Sequence, residues 1–187
     1  MFLMGRRRAS RMPPVSVLLV LVAFVGFWGF DGLNSYLKLI PGAPYLYEPR
    51  NWLRMTTGML NGLALIIFVL PIFNFTLWRV PAREPVVRSL WELLAILPLV
   101  GLLVLATQAE INLLLYPLAI VSSLGVVMML TIISAMLAAV VLRREGYALS
   151  WQQALVPLAV GLALAVFLLT VMVLVRDYLT TSLGLPF

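Results

Sequence analysis

The sequence predicts an all-α fold, a polytopic bundle of five transmembrane helices, and three observations carry that expectation. Hydrophobic residues make up 63% of the 187 positions and charged residues 11%, with a mean hydropathy of +1.08. Soluble domains carry roughly a quarter charged residues. The apolar runs are long and lack period-2 alternation, which favours helices over barrel strands in a solvent that offers the backbone no hydrogen-bond partners. The basic residues fall in short clusters between those runs, the positive-inside pattern. That clustering also argues against nucleic acid as the partner of a chain of net charge +6.

The chain contains no Cys and no His. It therefore lacks disulfides and the usual ligands of zinc, haem and iron–sulfur centres, so neither a metal site nor a cofactor is expected. The same absence excludes a Ser/His/Asp arrangement, and there is no glycine-rich phosphate loop or zinc-protease motif. Without a repeat, a low-complexity tract or a soluble domain, residues 1–187 read as a single integral membrane domain.

The N-terminal MFLMGRRRASRMPP has the basic character of a signal-peptide start. The apolar run from Val15 to Phe30, however, continues into Asp31 without a small-residue cleavage site, so the first helix is expected to stay. Arg6, Arg7, Arg8 and Arg11 become a cytoplasmic anchor, and Pro13-Pro14 opens a helix over 14–36. If that helix continues, Asp31, Asn34, Ser35 and Lys38 share one face at i, i+3, i+4 and i+7. The following PGAPYLYEPR, rich in proline and tyrosine, reads as an ordered, non-helical cap at the aromatic interface.

The second helix is expected over 51–78, with a kink at Pro71 and Trp78-Arg79 at the far interface. Its first turns align Arg54, Thr57, Gly58, Asn61 and Gly62 on one stripe, and Gly58 with Gly62 forms a GxxxG spacing that admits a closely packed helix. The loop VPAREPVVRS returns Arg79, Arg83 and Arg88 to the side of the N-terminus. A third helix over 85–107 contains Pro98. TQAEIN, with Glu110, turns into a fourth over 112–142 that includes Tyr116-Pro117. The fifth, over 150–175, has Ser150 as N-cap, Trp151 as anchor and Pro157 inside. With the N-terminus cytoplasmic, nine basic residues fall inside and four outside, leaving the C-terminus outside.

Polar chemistry concentrates between Asp31 and Gly62. Asp31 and Arg54 sit near the outer ends of neighbouring helices, where an ion pair would clamp the hairpin or line a site for substrate, ion or lipid headgroup. A charge in lipid costs roughly 2.5–3.5 kcal/mol, so each needs a partner or a water-filled recess. Asn34, Thr57 and Asn61 extend the patch into a possible hydrogen-bonded network, first of all as interhelical glue. Glu92 is expected to pair with Arg88 or Arg83 rather than to carry protons. Ser122, Ser123, Thr131, Ser134 and Thr170 need no role beyond bonding to carbonyls one turn back.

Asp31-Gly32 followed by Asn34, together with Arg54-x-x-Thr57-Gly58 and Gly62, resembles the bacterial polytopic membrane proteins grouped as domain of unknown function 2085. The resemblance covers roughly residues 15 to 78. Fuller members begin with a Cys- and His-containing segment, so this chain resembles the back part of such a protein. The resemblance implies a shared motif at Asp31, Asn34, Arg54, Thr57 and Gly58. It implies no metal or thiol role and transfers no activity.

Three functional classes follow. The first is a non-enzymatic subunit or scaffold of a bacterial cytoplasmic membrane complex, its glycine-bearing faces packed against other integral membrane chains in a hetero-oligomer. The second is a small transporter or channel with a polar recess at Asp31 and Arg54, using proline-interrupted helices to expose backbone. The third, a lipid-modifying enzyme, has the poorest material, one Asp with no His nearby.

Overall fold

The computed structural model describes residues 6, 8–109 and 112–183. Five helices follow in order: α1 Val15–Leu39, α2 Asn51–Leu77, α3 Leu90–Gln108, α4 Asn112–Val141 and α5 Trp151–Leu183. All five are long and apolar enough to cross a membrane, which fits a multi-pass membrane protein. Their outward surfaces are greasy: Trp91, Leu113 and Phe167 are all exposed. In water such faces would aggregate, whereas in hydrocarbon they are solvated.

α1 starts where the prolines end. Pro14 is extended, with φ −61° and ψ 156°, and its carbonyl accepts from the N–H groups of Val17 and Leu18. The helix runs one turn beyond the expected boundary, bringing Ser35 and Lys38 onto the helical face with Asp31 and Asn34. Pro41 and the left-handed Gly42 (φ 81°) follow its end. Helical structure continues through Pro71, Pro98, Pro117 and Pro157. The expected proline-interrupted, unwound segments are therefore absent among the described residues. α5 extends past Arg176 and Asp177, whose carbonyls accept the hydroxyls of Thr180 and Thr181 at 2.9 and 2.7 Å.

Two short strands were not anticipated. β1, Ala9–Arg11, pairs in parallel with β2, Ala82–Pro85, in the register Ala9 to Ala82 and Arg11 to Pro85. The Ala82 N–H donates to Arg8 O at 2.8 Å, and the Ser10 hydroxyl to Ala82 O at 3.0 Å. The loop expected to begin the third helix at 85 is thus extended, and α3 starts only at Leu90. Ser89 is its N-cap, accepting from the Glu92 N–H at 3.4 Å.

The chain divides into two compact units. One contains the described chain up to Ile72 together with Pro81–Ala119. Its core joins Val17 and Leu21 of α1, Ala64 and Ile67 of α2, Leu93 of α3 and, from the extended segments, Ala9, Val86 and Val87. The other contains Phe73–Val80 and the described chain from Ile120 onward. There Trp78, expected at the interface, is 1% exposed. Its indole N–H donates to Asn74 Oδ1 at 3.1 Å, and its ring meets that of Trp151 edge-on at 4.8 Å. Gly161 sits so close to α4 that an added Cβ would lie 2.5 Å from Thr131 O. Glu110 and the four C-terminal residues lie outside the described residues.

Candidate functional site

The site expected at the α1–α2 hairpin is built from one face of α1 and the loop that follows it. Asp31 and Asn34 are both 3% exposed, because their spacing of three turns both toward the loop. The Asn34 amide supplies donor and acceptor together. Its Nδ2 donates to Tyr47 O at 2.8 Å, and its Oδ1 accepts from the N–H groups of Leu46 at 2.7 Å and Tyr47 at 3.4 Å. One side chain thus substitutes for a strand partner along two loop residues.

Tyr47 completes the arrangement by donating its hydroxyl to Asp31 Oδ1 at 2.5 Å. Its ring lies 6.4 Å from that of Phe30. Burial, then the hydrogen bond to Asp31 and the nearby negative charge, push the phenol up to about 12. One turn along α1, Lys38 pairs with Glu48, which also accepts the Tyr45 hydroxyl at 3.0 Å. These two partners hold the Glu48 carboxyl below the usual carboxylate range. The cap is ordered because α1 clamps it at three successive levels.

Thr57 of α2 reaches the same carboxylate, but weakly. Its hydroxyl has one proton and two acceptors, Arg54 O at 3.1 Å and Asp31 Oδ2 at 3.5 Å, and the shorter bond to its own helix is favoured. The expected ion pair between Asp31 and Arg54 does not form. Arg54 is exposed and takes part in none of the ion pairs among the described residues, which include Arg6–Glu92, Lys38–Glu48 and Arg88–Glu84. Arg54 and Thr57 share a stripe only loosely, since three residues advance a helix by 300° and leave them 60° apart. That offset separates a buried hydroxyl from an exposed guanidinium.

Asn61 is 9% exposed and makes no side-chain hydrogen bond among the described residues, with its Oδ1 buried. The Ser35 hydroxyl is likewise buried without a partner. Beside Asn61, Gly58 and Gly62 have open space: an added Cβ on either would meet nothing within 4 Å. No described part of this chain makes the close approach that their spacing permits.

Glu92 takes Arg6 rather than Arg88 or Arg83. The carboxylate receives both terminal nitrogens of Arg6 at 2.8 and 2.9 Å and the Arg88 N–H at 2.8 Å. The Arg6 guanidinium is held above its ordinary value in turn. Arg88 pairs instead with Glu84, one turn away, at 2.9 Å. Tyr47 and Arg6 are the residues that sequence reasoning missed. A signal for Tyr47 was present, since a carboxylate buried beside a loop with two phenols has an obvious pair of donors. Ser89-x-x-Glu92 was legible too, as a capping-box spacing.

The site offers hydrogen bonds, one buried carboxylate and no nucleophile–base pair, and no cluster among the described residues could hold a metal ion. No family model matches the chain, and no curated protein or solved structure matches it either.

Proposed function

We propose that the chain is a non-enzymatic integral-membrane subunit that packs against other membrane proteins through α2, with its N-terminus cytoplasmic in a bacterial cytoplasmic membrane. One observation carries the reading: Gly58 and Gly62, one turn apart on α2, face open space that no described residue covers. Glycines at this spacing permit the close approach of a second helix. The clamped cap supports the same reading, because a rigid hairpin loses little entropy on docking.

Blue-native electrophoresis after mild detergent extraction tests the proposal. The wild type is expected above monomer size with defined partner chains in stoichiometric amount, and Gly58→Leu with Gly62→Leu is expected to release it. A wild-type chain that migrates alone would overturn the proposal.

The alternative, a small transporter or channel, draws on the burial of Asp31 within a span and the empty bonding capacity of Ser35 and Asn61. Flux through reconstituted vesicles that survives Asp31→Asn unchanged would eliminate it.

A further inference from the structure

Helix α4 ends in a Schellman motif. The Arg144 N–H donates to Ala139 O at 2.8 Å and the Arg143 N–H to Val140 O at 3.0 Å. The residue that must turn left-handed is Arg143, with φ 52°. Glycine is the usual occupant because a Cβ is strained there, and this loop does use glycine three residues later, at Gly146 with φ 61°. Closing the helix does not require an arginine at this position. A strained residue held in place by its surroundings points to a use for its side chain.

The loop is fixed against the end of α2. Gly146 N–H donates to Thr76 O at 2.8 Å, Ala148 N–H to Leu77 O at 3.1 Å, and Arg79 N–H to Ala148 O at 3.0 Å. These bonds bring Arg79 to the same place as Arg143 and Arg144, and the three line a cleft of about 360 Å³ with Glu145 as its one acid. Among the described residues these three guanidinium groups have no carboxylate within pairing distance, unlike Arg6, Lys38 and Arg88. Arg144 lies 5.9 Å from the centre of the Tyr147 ring.

A second hollow of about 300 Å³, walled by Leu77, Ala148, Val156 and Pro157, shares Arg144, Tyr147 and Gln153 with the first. A cationic half and an apolar half therefore meet at common side chains. Candidate spans end at Leu77 and Val141 and begin at Trp151, which puts the cleft at headgroup depth. Guanidinium groups keep their charge and match phosphate oxygens with two parallel donors.

We propose that this cleft binds a phosphate-bearing amphiphile, with the phosphate among Arg79, Arg143 and Arg144 and an acyl chain against Leu77, Val156 and Pro157. The recognised chemistry is a phosphate ester. The apolar hollow selects a lipid over free phosphate. The site uses none of the residues of the Asp31 cluster, and it stands or falls separately from the assembly proposed above.

The test titrates the purified full chain, in neutral detergent, with dihexanoyl phosphatidylglycerol. Tryptophan fluorescence and native mass spectrometry follow binding, with inorganic phosphate and dihexanoyl phosphatidylcholine as parallel arms. Saturable binding of phosphatidylglycerol is expected, at least about tenfold tighter than either comparator, since both the net charge and the chains contribute. Arg79→Gln and Arg144→Gln should each weaken it about fivefold, the worth of one basic group at an anionic surface. Arg143→Gly should weaken it to a similar degree while raising the thermal midpoint, so lost affinity cannot be ascribed to misfolding. Binding that is absent, indifferent to all three substitutions, or matched by inorganic phosphate at equal concentration would overturn the proposal.

Discussion

Replacing Asn34 by Leu should free the 40–50 cap while leaving the helices in place. The amide makes two bonds of 2.7 and 2.8 Å to the loop backbone and a third, longer one of 3.4 Å. An intramolecular hydrogen bond contributes about 1 kcal/mol net, and the long one little, so the clamp is worth about 2 kcal/mol. Leu has the same branching and number of side-chain heavy atoms as Asn, so no cavity is left behind. The loop groups released are near the chain's surface, so they can bond to water and the loss need not spread. Hydrogen exchange at the Leu46 and Tyr47 amides, followed in detergent micelles, reads the local opening directly. About 2 kcal/mol corresponds to exchange about thirtyfold faster. Lys38→Met, which removes only an exposed ion pair, should accelerate it no more than about fivefold. Acceleration in Asn34→Leu below about threefold would refute the view that this side chain, rather than the prolines, orders the cap.

Other consequences are equally direct. Gly161→Ala places a Cβ 2.5 Å from Thr131 O and 2.7 Å from Ala135 N and should lower stability by about 1–3 kcal/mol. Gly125→Ala meets nothing within 4 Å and should be neutral or stabilising by up to about 1 kcal/mol. Thermal midpoints that move alike in the two variants would contradict the packing at Gly161. Glu92→Gln and Arg6→Gln should show favourable coupling in a double-mutant cycle, because the pair makes two charge-assisted hydrogen bonds; strictly additive effects would rule the pair out. The Tyr47 phenol, raised from 10.0 to about 12, lends stability that is complete below pH 10 and lost as pH rises through 12. The difference between alkaline absorbance titrations of wild type and Tyr47→Phe should therefore show this phenol ionising late, and ionisation near pH 10 would disprove its bond to Asp31.

The class and the helix count were legible because they rest on composition and run length, which act residue by residue. The limits of α2 and α4 were legible for the same reason. α3 was misplaced at its start because VPAREP lacks both the helical and the strand period. Its extended form comes from pairing with Ala9–Arg11, a partner more than seventy residues away. Arg6 and Glu92, 86 residues apart, escaped for the same reason. Within the hairpin, Asp31 and Asn34 were found through their spacing on α1. Arg54 was matched to Asp31 by charge alone, whereas the fold meets the carboxylate's need for a donor with a phenol three residues short of Arg50. Opposite charge is a long-range attraction, but burial selects the donor whose own desolvation costs less, a neutral phenol rather than a guanidinium.

The pairing of Trp78 with Ala148 also sets an order of events during synthesis. The carbonyls of Thr76 and Leu77 receive their partners from Gly146 and Ala148, so the end of α2 cannot be closed until the ribosome has added another seventy residues. Through that interval α3 and α4 are made while those two oxygens depend on water. Closure waits for the segment after α4, and the end of the second helix becomes a record that the fourth has been completed and turned.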